Sequence, residues 1–294
     1  MNDLDIAFPN LGIVFQNVPY GFTVFGFFIA FYAVIIAAGM FGATTLCDKI
    51  ARNEGMGEDV IWDAALWILP FGIVGARLYY VLFKLEDYAA RPLDVFNIRQ
   101  GGLAIYGGVL AGTLAMYLFA RRRKISFLQL SDVVMTGVPL GQVAGRFGNF
   151  TNREAFGAYT NNLFAMRLPL SAVRDTGAVT EEMLAHMAEH ADCIQVHPTF
   201  LYESAWNLCL LLFMLWYRKH RRFRGEMTLL YLGGYGAGRF LIEGLRTDQL
   251  LLPGTEIAVS QVLAALLVVF SVAVACIVRG RMGVNKTGEE VQKE

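Results

Sequence analysis

One stretch of the chain reads IAVSQVLAALLVVFSVAVACIV, from Ile257 to Val278, and contains no charged side chain. A helix of about 20 mostly apolar residues is long enough to cross the hydrocarbon core of a bilayer. The composition agrees, since 55% of the 294 residues are hydrophobic and 17% are charged, against about 25% charged residues in average soluble domains. These features indicate a membrane protein. Basic and acidic residues balance at 25 each, so the net charge predicts no nucleic-acid partner.

Comparable apolar stretches recur along the whole sequence. Lipid offers no hydrogen bonds to the backbone, so an apolar stretch of this length is expected to be helical. The pattern predicts an all-α polytopic membrane protein with about seven transmembrane helices, built as a single integral membrane domain over residues 1–294. The six predicted spans before Ile257–Val278 are Gly21–Leu46, Val60–Phe83, Gly101–Ala120, Phe127–Phe150, Phe200–Tyr217 and Met227–Leu245.

The distribution of lysine and arginine predicts the orientation. Basic residues in short connections are retained on the cytoplasmic side of a membrane. One set of alternating connections holds fifteen of them and the opposite set holds four, with residues 151–198 left out of the count. The N-terminus is therefore predicted outside and the C-terminus in the cytoplasm. The polar segment 151–198, between the fourth and fifth spans, is then a small outer head domain.

Charged and phenolic side chains inside these spans converge on the outer half of the bilayer. A charge at the centre of a transmembrane helix costs about 2.5 to 3.5 kcal/mol, so several together need a shared purpose or partners. They either pair and hold the helices in register, or they serve a site. For Arg77 alone, snorkelling of the side chain to the headgroups is a further explanation, and Glu203 is its candidate partner. The residues are Arg77, Tyr106, Arg146, Glu203, Arg239 and Glu243.

The sixth span strengthens the case for a site. Tyr235, Arg239 and Glu243 are spaced by four residues and share one face of a helix. The buried arginines also fit the anion site of a secondary transporter, although the sequence shows no internal repeat of the kind that such proteins use. A glycine-rich stretch on the same helix, Gly234 to Gly238, lacks the preceding strand and the spacing of a nucleotide-binding loop.

A possible metal motif lies in the predicted head. His186-Met-Ala-Glu-His190 matches the H-x-x-E-H pattern of one class of zinc protease. A catalytic zinc also needs a third ligand and groups that orient its ligands, and neither is marked nearby. We interpret the histidines as one solvent-facing side of a short amphipathic helix and predict no metal and no cofactor.

Four ordered segments carry a resemblance to a known family. They read GGLAIYGG from Gly101 to Gly108, GRFGNFTNREAFG from Gly145 to Gly157, HPTFLYE from His197 to Glu203, and YGAGRFLIE from Tyr235 to Glu243. With these segments the chain resembles the prolipoprotein diacylglyceryl transferase family over nearly its whole length.

The resemblance implies a bacterial inner-membrane enzyme. Such an enzyme transfers the diacylglyceryl group of phosphatidylglycerol to the lipobox cysteine of a prolipoprotein, forming a thioether and releasing glycerol phosphate. Its partners are phosphatidylglycerol, the lipobox peptide and membrane lipid. The implied catalytic residues are Arg146, Arg239, Tyr106 and Glu243. The implied substrate-binding residues are Asn149, Gly148, Asn152, Glu154, Gly157, Tyr235, Arg77, His197 and Glu203.

The residue types suit this chemistry but do not identify the general base. An arginine holds phosphate with a planar fork and keeps its charge when buried. A thiol of pKa near about 8.5 must lose its proton before it attacks. Many family members carry histidine where this chain has Tyr106, and tyrosine where we place Phe25. Tyr106 therefore either orients lipid or relays a proton, and Glu243 and Glu154 are the other candidate proton acceptors.

Overall fold

The computed structural model describes residues 4–89, 92–98, 101–187, 192–255 and 257–291. Most of these residues are helical. The helices are α1 (Phe31–Asn53), α2 (Val60–Phe83), α3 (Leu85–Ala89), α4 (Ile105–Arg123), α5 (Phe127–Asn152), α6 (Glu181–Ala185), α7 (Thr199–Tyr217), α8 (Glu226–Glu243) and α9 (Val259–Val291). The strands are β1 (Ile6–Phe8), β2 (Ile13–Phe15), β3 (Gly21–Val24), β4 (Phe27–Ala30), β5 (Met166–Pro169) and β6 (Cys193–Val196).

Helices suited to span a membrane are present, as the sequence predicts. Among the described residues, four helical segments are both long and apolar enough to cross a bilayer: Phe31–Asn53, Val60–Phe83, Thr199–His220 and Val259–Met282. The prediction of a mostly helical membrane protein is confirmed. The description "all-α" needs correction, because the described residues also form two small sheets.

The first predicted span begins too early. Residues Gly21 to Ala30 form the antiparallel hairpin β3–β4, and α1 begins only at Phe31. Phe25 and Gly26 at the turn both have positive φ, 48° and 80°, which is the backbone that a tight two-residue hairpin requires. The flanking phenylalanine, threonine, valine and isoleucine residues favour strands, so an uninterrupted apolar run is divided between a hairpin and a helix.

A four-stranded antiparallel sheet joins the N-terminal segment to the segment predicted as a head. Its order is β2-β1-β5-β6, with Ala7 opposite Arg167 and Met166 opposite Val196. Its strands contribute Ile6, Leu168 and Ile194 to an apolar cluster that also includes Phe156 and Met183. The sequence analysis assigned no structure to residues before Gly21, because strands of three residues carry too little periodicity to be recognised.

Arg153 connects the turn after α5 to the N-terminal segment. Its side chain is almost fully buried and donates hydrogen bonds to the carbonyl oxygens of Leu4 at 2.6 Å and Val18 at 2.7 Å. Its guanidinium also lies over the ring of Tyr20. Burial lowers the pKa of this guanidinium from its usual value. The turn after α5 is thereby anchored to the N-terminal segment.

The chain divides into two compact units, one comprising Met1–Ala43 with Thr136–Glu294 and the other Thr44–Met135. In the second unit, α2 and α4 pack through glycines: a Cβ on Gly75 would lie 2.7 Å from the carbonyl oxygen of Gly107. Small residues on facing helices permit such a close approach.

Candidate active site

Three arginines converge on one buried glutamate at the start of α7. The side chain of Glu203 is 4% exposed, and its Oε2 lies 2.6 Å from Nη2 of Arg146 on α5. Nη1 of Arg239 on α8 lies 3.3 Å from the same oxygen, and Nη1 of Arg246 lies 3.3 Å from Oε1. A buried carboxylate without such partners would carry a large desolvation cost. Glu203 therefore holds guanidinium groups from two helices and one loop in a single cluster.

The end of α8 presents the predicted helix face. Nη2 of Arg239 lies 2.5 Å from Oε2 of Glu243, one helical turn further on. The other oxygen of Glu243 accepts a hydrogen bond from the hydroxyl of Ser260 on α9. Tyr235 stacks on Tyr231, with ring centroids 5.7 Å apart. The structure thus brings Arg239 and Glu243 together, as their spacing predicts.

Arg246 and Asp248 belong to the cluster, and the sequence analysis missed both. Arg246 donates to the carboxylate of Asp248 through Nε at 2.8 Å and Nη2 at 2.6 Å. Burial opposes the charge of Asp248, but these bonds hold the pKa of its carboxyl below the usual range. Arg246 follows the end of α8, three residues after Glu243 and seven after Arg239, and this spacing is the sequence signal that points to it.

The segment after Arg146 forms a polar turn around Glu154. Its Oε1 accepts hydrogen bonds from the side-chain amides of Asn149 and Asn152, each at 3.0 Å. Nη1 of Arg146 donates to Oδ1 of Asn149 at 3.4 Å. Nη1 of Arg174 lies 3.5 Å from the other oxygen of Glu154. Asn149 therefore links this turn to the arginine cluster.

Gly157 lies where three chain segments meet. Its backbone N–H donates to the carbonyl of His197 at 3.0 Å. A Cβ at this position would lie 2.5 Å from the carbonyl oxygen of Leu245 and 2.8 Å from Cβ of His197. The position therefore requires glycine. Gly157 brings the polar turn, the loop after α8 and the segment before α7 within contact of one another.

The side chain of His197 lies next to two polar side chains. Its Nδ1 lies 3.3 Å from the hydroxyl of Tyr202 and 3.4 Å from Nδ2 of Asn162. Burial lowers the pKa of the imidazole from its usual value. His197 is therefore neutral near pH 7 and acts as a hydrogen-bonding group there.

Phe25, at the place where many family members carry tyrosine, is exposed in this structure. Phe25 lies at the tip of the β3–β4 hairpin and is 97% exposed. Tyr32, in the first turn of α1, packs on Gly148: a Cβ on that glycine would lie 2.7 Å from Cδ2 of the tyrosine ring. Gly148 thus makes room for a phenol next to the polar turn. Tyr32 does not stand out in the sequence, because Gly21–Leu46 is predicted as one uninterrupted span.

Arg77 and Tyr106 belong to the other unit. Arg77 donates to the carbonyl oxygens of Val95 at 2.7 Å, Gly101 at 2.9 Å and Gly102 at 3.0 Å. These carbonyls are its partners, whereas Glu203 binds the three other arginines. Arg77 therefore stabilises the loop before α4 through these hydrogen bonds. Tyr106 lies in the first turn of α4 and is 42% exposed.

In the H-x-x-E-H motif of the sequence, the first histidine packs against neighbouring residues. His186 stacks on Tyr159 with ring centroids 4.0 Å apart, and its Nδ1 lies 3.0 Å from the carbonyl oxygen of Glu182. Glu189 and His190 lie outside the described residues. Across the part of the chain that the structure describes, no group of three or more histidine, cysteine, aspartate or glutamate side chains is arranged to hold a metal ion.

The fold and the cluster define a helical membrane protein with a charged site buried among its apolar helices. The family model for prolipoprotein diacylglyceryl transferase matches residues 19–277. The chain therefore belongs to the prolipoprotein diacylglyceryl transferase family and is a transferase.

Relatives named phosphatidylglycerol–prolipoprotein diacylglyceryl transferase share much of the sequence. The one from Clostridioides difficile is 39% identical over 231 residues, which is 79% of this chain and 84% of the relative. The one from Synechococcus elongatus is 42% identical over 236 residues, 78% of this chain and 77% of the relative. The one from Enterococcus faecalis is 38% identical over 275 residues, 93% of this chain and 95% of the relative.

Proposed function

We propose that this protein transfers the diacylglyceryl group of phosphatidylglycerol to the thiol of a lipobox cysteine in a prolipoprotein. The family and the names of the relatives support this activity. The single structural observation that carries it is the convergence of three guanidinium groups on buried Glu203. No observation favours the transporter alternative.

The reaction makes one bond and breaks one. The thiolate sulfur attacks the glycerol carbon that carries the phosphate ester, the carbon–sulfur bond forms, and the carbon–oxygen bond breaks. The electron pair leaves with glycerol phosphate, whose oxygen gains negative charge. A preorganised cation next to that oxygen stabilises the transition state.

Arg146 and Arg239 fit this role by their exposure and their support. Their side chains remain 21% and 17% exposed, whereas Glu203 beneath them is 4% exposed. The glutamate orients the guanidinium groups from the buried side, and their remaining N–H groups are available to a phosphate. Arg246, 10% exposed and bound to Asp248, then supports the cluster without contacting the lipid.

For the base, we infer that Glu154 fits better than Glu243. The side chain of Glu154 is 23% exposed, and two amides and Arg174 orient it. Glu243 is 5% exposed and held by Arg239 and Ser260. A proton acceptor has to reach its substrate, and the more open carboxylate does so more readily. Tyr106 remains a candidate for orienting lipid.

The other proposed substrate-binding residues act around these groups. Asn149 and Asn152 position Glu154, and Gly148 and Gly157 permit the close contacts that shape the turn. Tyr235 lies one turn before Arg239 on α8. On the resemblance to the family, we keep Arg77 and His197 as proposed substrate-binding residues.

We further propose seven transmembrane helices in the bacterial inner membrane, with the N-terminus outside and the C-terminus in the cytoplasm. Besides the four apolar helices, α4, α5 and α8 have 19, 26 and 18 residues, close to the length of about 20 that a span needs. The chain is then one membrane domain, and residues 151–198 form an outer head together with the N-terminal strands.

The function is tested with the purified full-length protein, phosphatidylglycerol and a synthetic lipobox peptide. Mass spectrometry is expected to show a diacylglyceryl group on the peptide cysteine. A peptide with serine in place of that cysteine is the control and should stay unmodified. A cysteine peptide that is unchanged with every lipid tested would contradict the proposal.

A further inference from the structure

The C-terminal end of α4 carries a basic cluster outside the candidate active site. It comprises Arg121, Arg122, Arg123 and Lys124, all exposed. In the same unit, this end of α4 packs beside the first turns of α2, which supply Asp63, Leu66 and Trp67. None of these residues takes part in the chemistry described above.

Aromatic and acidic neighbours hold two of the arginines in place. The guanidinium of Arg122 lies 5.2 Å from the ring centroid of Trp67. Arg123 forms an ion pair with Asp63 and lies 5.8 Å from the ring centroid of Phe119. A guanidinium over an aromatic ring is attracted by the negative face of that ring. The cations are therefore ordered at the helix surface.

Two adjoining cavities open at this cluster. One, of about 200 Å³, is lined by Asp63, Leu66, Trp67, Phe119, Arg122 and Arg123. The other, of about 380 Å³, is lined by Trp67, Leu118, Arg121 and Arg122. Trp67 and Arg122 line both cavities, so they lie at the junction of the two.

The chemistry of the lining fits an amphiphilic anion. This group contains four basic side chains and one carboxylate, that of Asp63, so positive charge remains in excess. Leu66 and Leu118 lie next to the arginines and are 74% and 42% exposed. A phosphate alone would use only the guanidinium groups. A phospholipid would place its phosphate on the arginines and its acyl chains along the leucines.

We propose that this cluster binds the phosphate of an anionic phospholipid from the cytoplasmic leaflet. The cytoplasmic side follows from the proposed orientation, and the site is independent of the transfer reaction. Basic residues next to the cytoplasmic end of a transmembrane helix attract anionic headgroups, and basic pockets between such helices bind them specifically. The indole of Trp67 is a residue type typical of that interface.

The proposal is tested by native mass spectrometry of the full-length protein with phosphatidic acid, and with phosphatidylcholine as the uncharged comparison. The test variant is Arg121→Gln with Arg122→Gln. The matched control is Lys219→Gln with Arg224→Gln, which removes two exposed charges from another basic connection. A basic residue near the surface contributes about fivefold to binding, so the test variant should bind phosphatidic acid about 25-fold more weakly.

The control should bind phosphatidic acid like the wild type. Equal weakening in both double variants would show diffuse attraction and overturn the proposal. Equal binding of phosphatidylcholine, or displacement of the lipid by millimolar inorganic phosphate, would overturn it as well. Trp67→Leu keeps every charge and removes only the indole, and weaker binding of phosphatidic acid is expected there too. Diacylglyceryl transfer should stay unchanged in all of these variants.

Discussion

At the scale of single residues, the roles of the buried arginines follow from what each one contacts. Arg146 and Arg239 share Glu203 and remain partly exposed, whereas Arg246 is bound on both sides by Glu203 and Asp248. Their pairing with buried carboxylates agrees as well with the alternative that they only hold helices in register. Turnover and folded yield have to be measured separately to distinguish the two roles.

We predict that Arg146→Lys and Arg239→Lys each lower turnover at unchanged folded yield. Lysine keeps a charge but loses the planar fork, and it sheds its proton more easily when buried. Loss of one donor to a developing anion costs about 100-fold to 1000-fold in rate. Peptide lipidation at saturating phosphatidylglycerol and thermal stability are the measurements.

Arg167→Lys is the matched control for these variants. Arg167 lies on β5 and donates to Gln195 at 2.8 Å, so its replacement should leave turnover near the wild-type value. If Arg146→Lys and Arg239→Lys also keep near wild-type turnover, both arginines are structural.

The loop histidines are predicted to be dispensable for transfer. His186 contacts Tyr159 and the backbone of Glu182, which explains it as a packing residue. Replacing His186 and His190 together with glutamine should therefore lower stability slightly and leave lipidation nearly intact. Activity that is lost in this variant and restored by added zinc would argue for a metal site.

Sequence patterns predict the charged part of the cluster better than its surroundings. Arg146, Arg239, Glu203 and Glu243 stand out because a charge is rare in an apolar span. Arg246 lies just beyond such a span and resembles an ordinary loop residue. Tyr32 is one aromatic residue among many in an apolar run, and only its contact with Gly148 distinguishes it.

At the scale of elements, the close contact of the polar turn with the loop after α8 depends on Gly157. We predict that Gly157→Ala lowers thermal stability, because the new methyl group meets a backbone carbonyl that cannot move aside. Overpacking of this kind costs about 1–3 kcal/mol. Lipidation should fall as well, since the turn carries Glu154.

Gly141→Ala is the control for this change. No described atom lies within 4 Å of a Cβ at Gly141, which is inside α5. Alanine is a better helix former than glycine by about 0.5–1 kcal/mol, so this variant should be as stable as the wild type or more so. Equal melting temperatures for Gly157→Ala and Gly141→Ala would contradict the assigned role of Gly157.

The long helices are predictable from the sequence, and the small sheets are not. Apolar length locates α2 and α7 closely, and it locates the start of α9, but α9 continues to Val291, well past the predicted end at Val278. In Gly21–Ala30 the same apolar composition forms a hairpin instead, since the positive φ at Phe25 and Gly26 reverses the chain. Strands β1 and β5 pair across most of the chain length, and such long-range pairing leaves no local pattern.

At the scale of the whole molecule, the orientation is tested by single cysteines at Ala185 and Arg122. The excess of basic residues predicts Ala185 outside and Arg122 in the cytoplasm. An impermeant thiol reagent added to intact cells should label the first and spare the second. The reverse pattern would contradict the orientation. Each single cysteine is introduced into a variant from which the native cysteines Cys47, Cys193, Cys209 and Cys276 have been removed.

In the proposed reaction a diacylglyceryl group, and no smaller part of the lipid, moves to the peptide sulfur. This is measured with phosphatidylglycerol that carries radioactive phosphorus and deuterated acyl chains, the purified protein and a lipobox peptide. Both deuterated chains are expected on the cysteine, and one glycerol phosphate should be released for each modified peptide. Transfer of a single acyl chain, or modified peptide without release of glycerol phosphate, would contradict it.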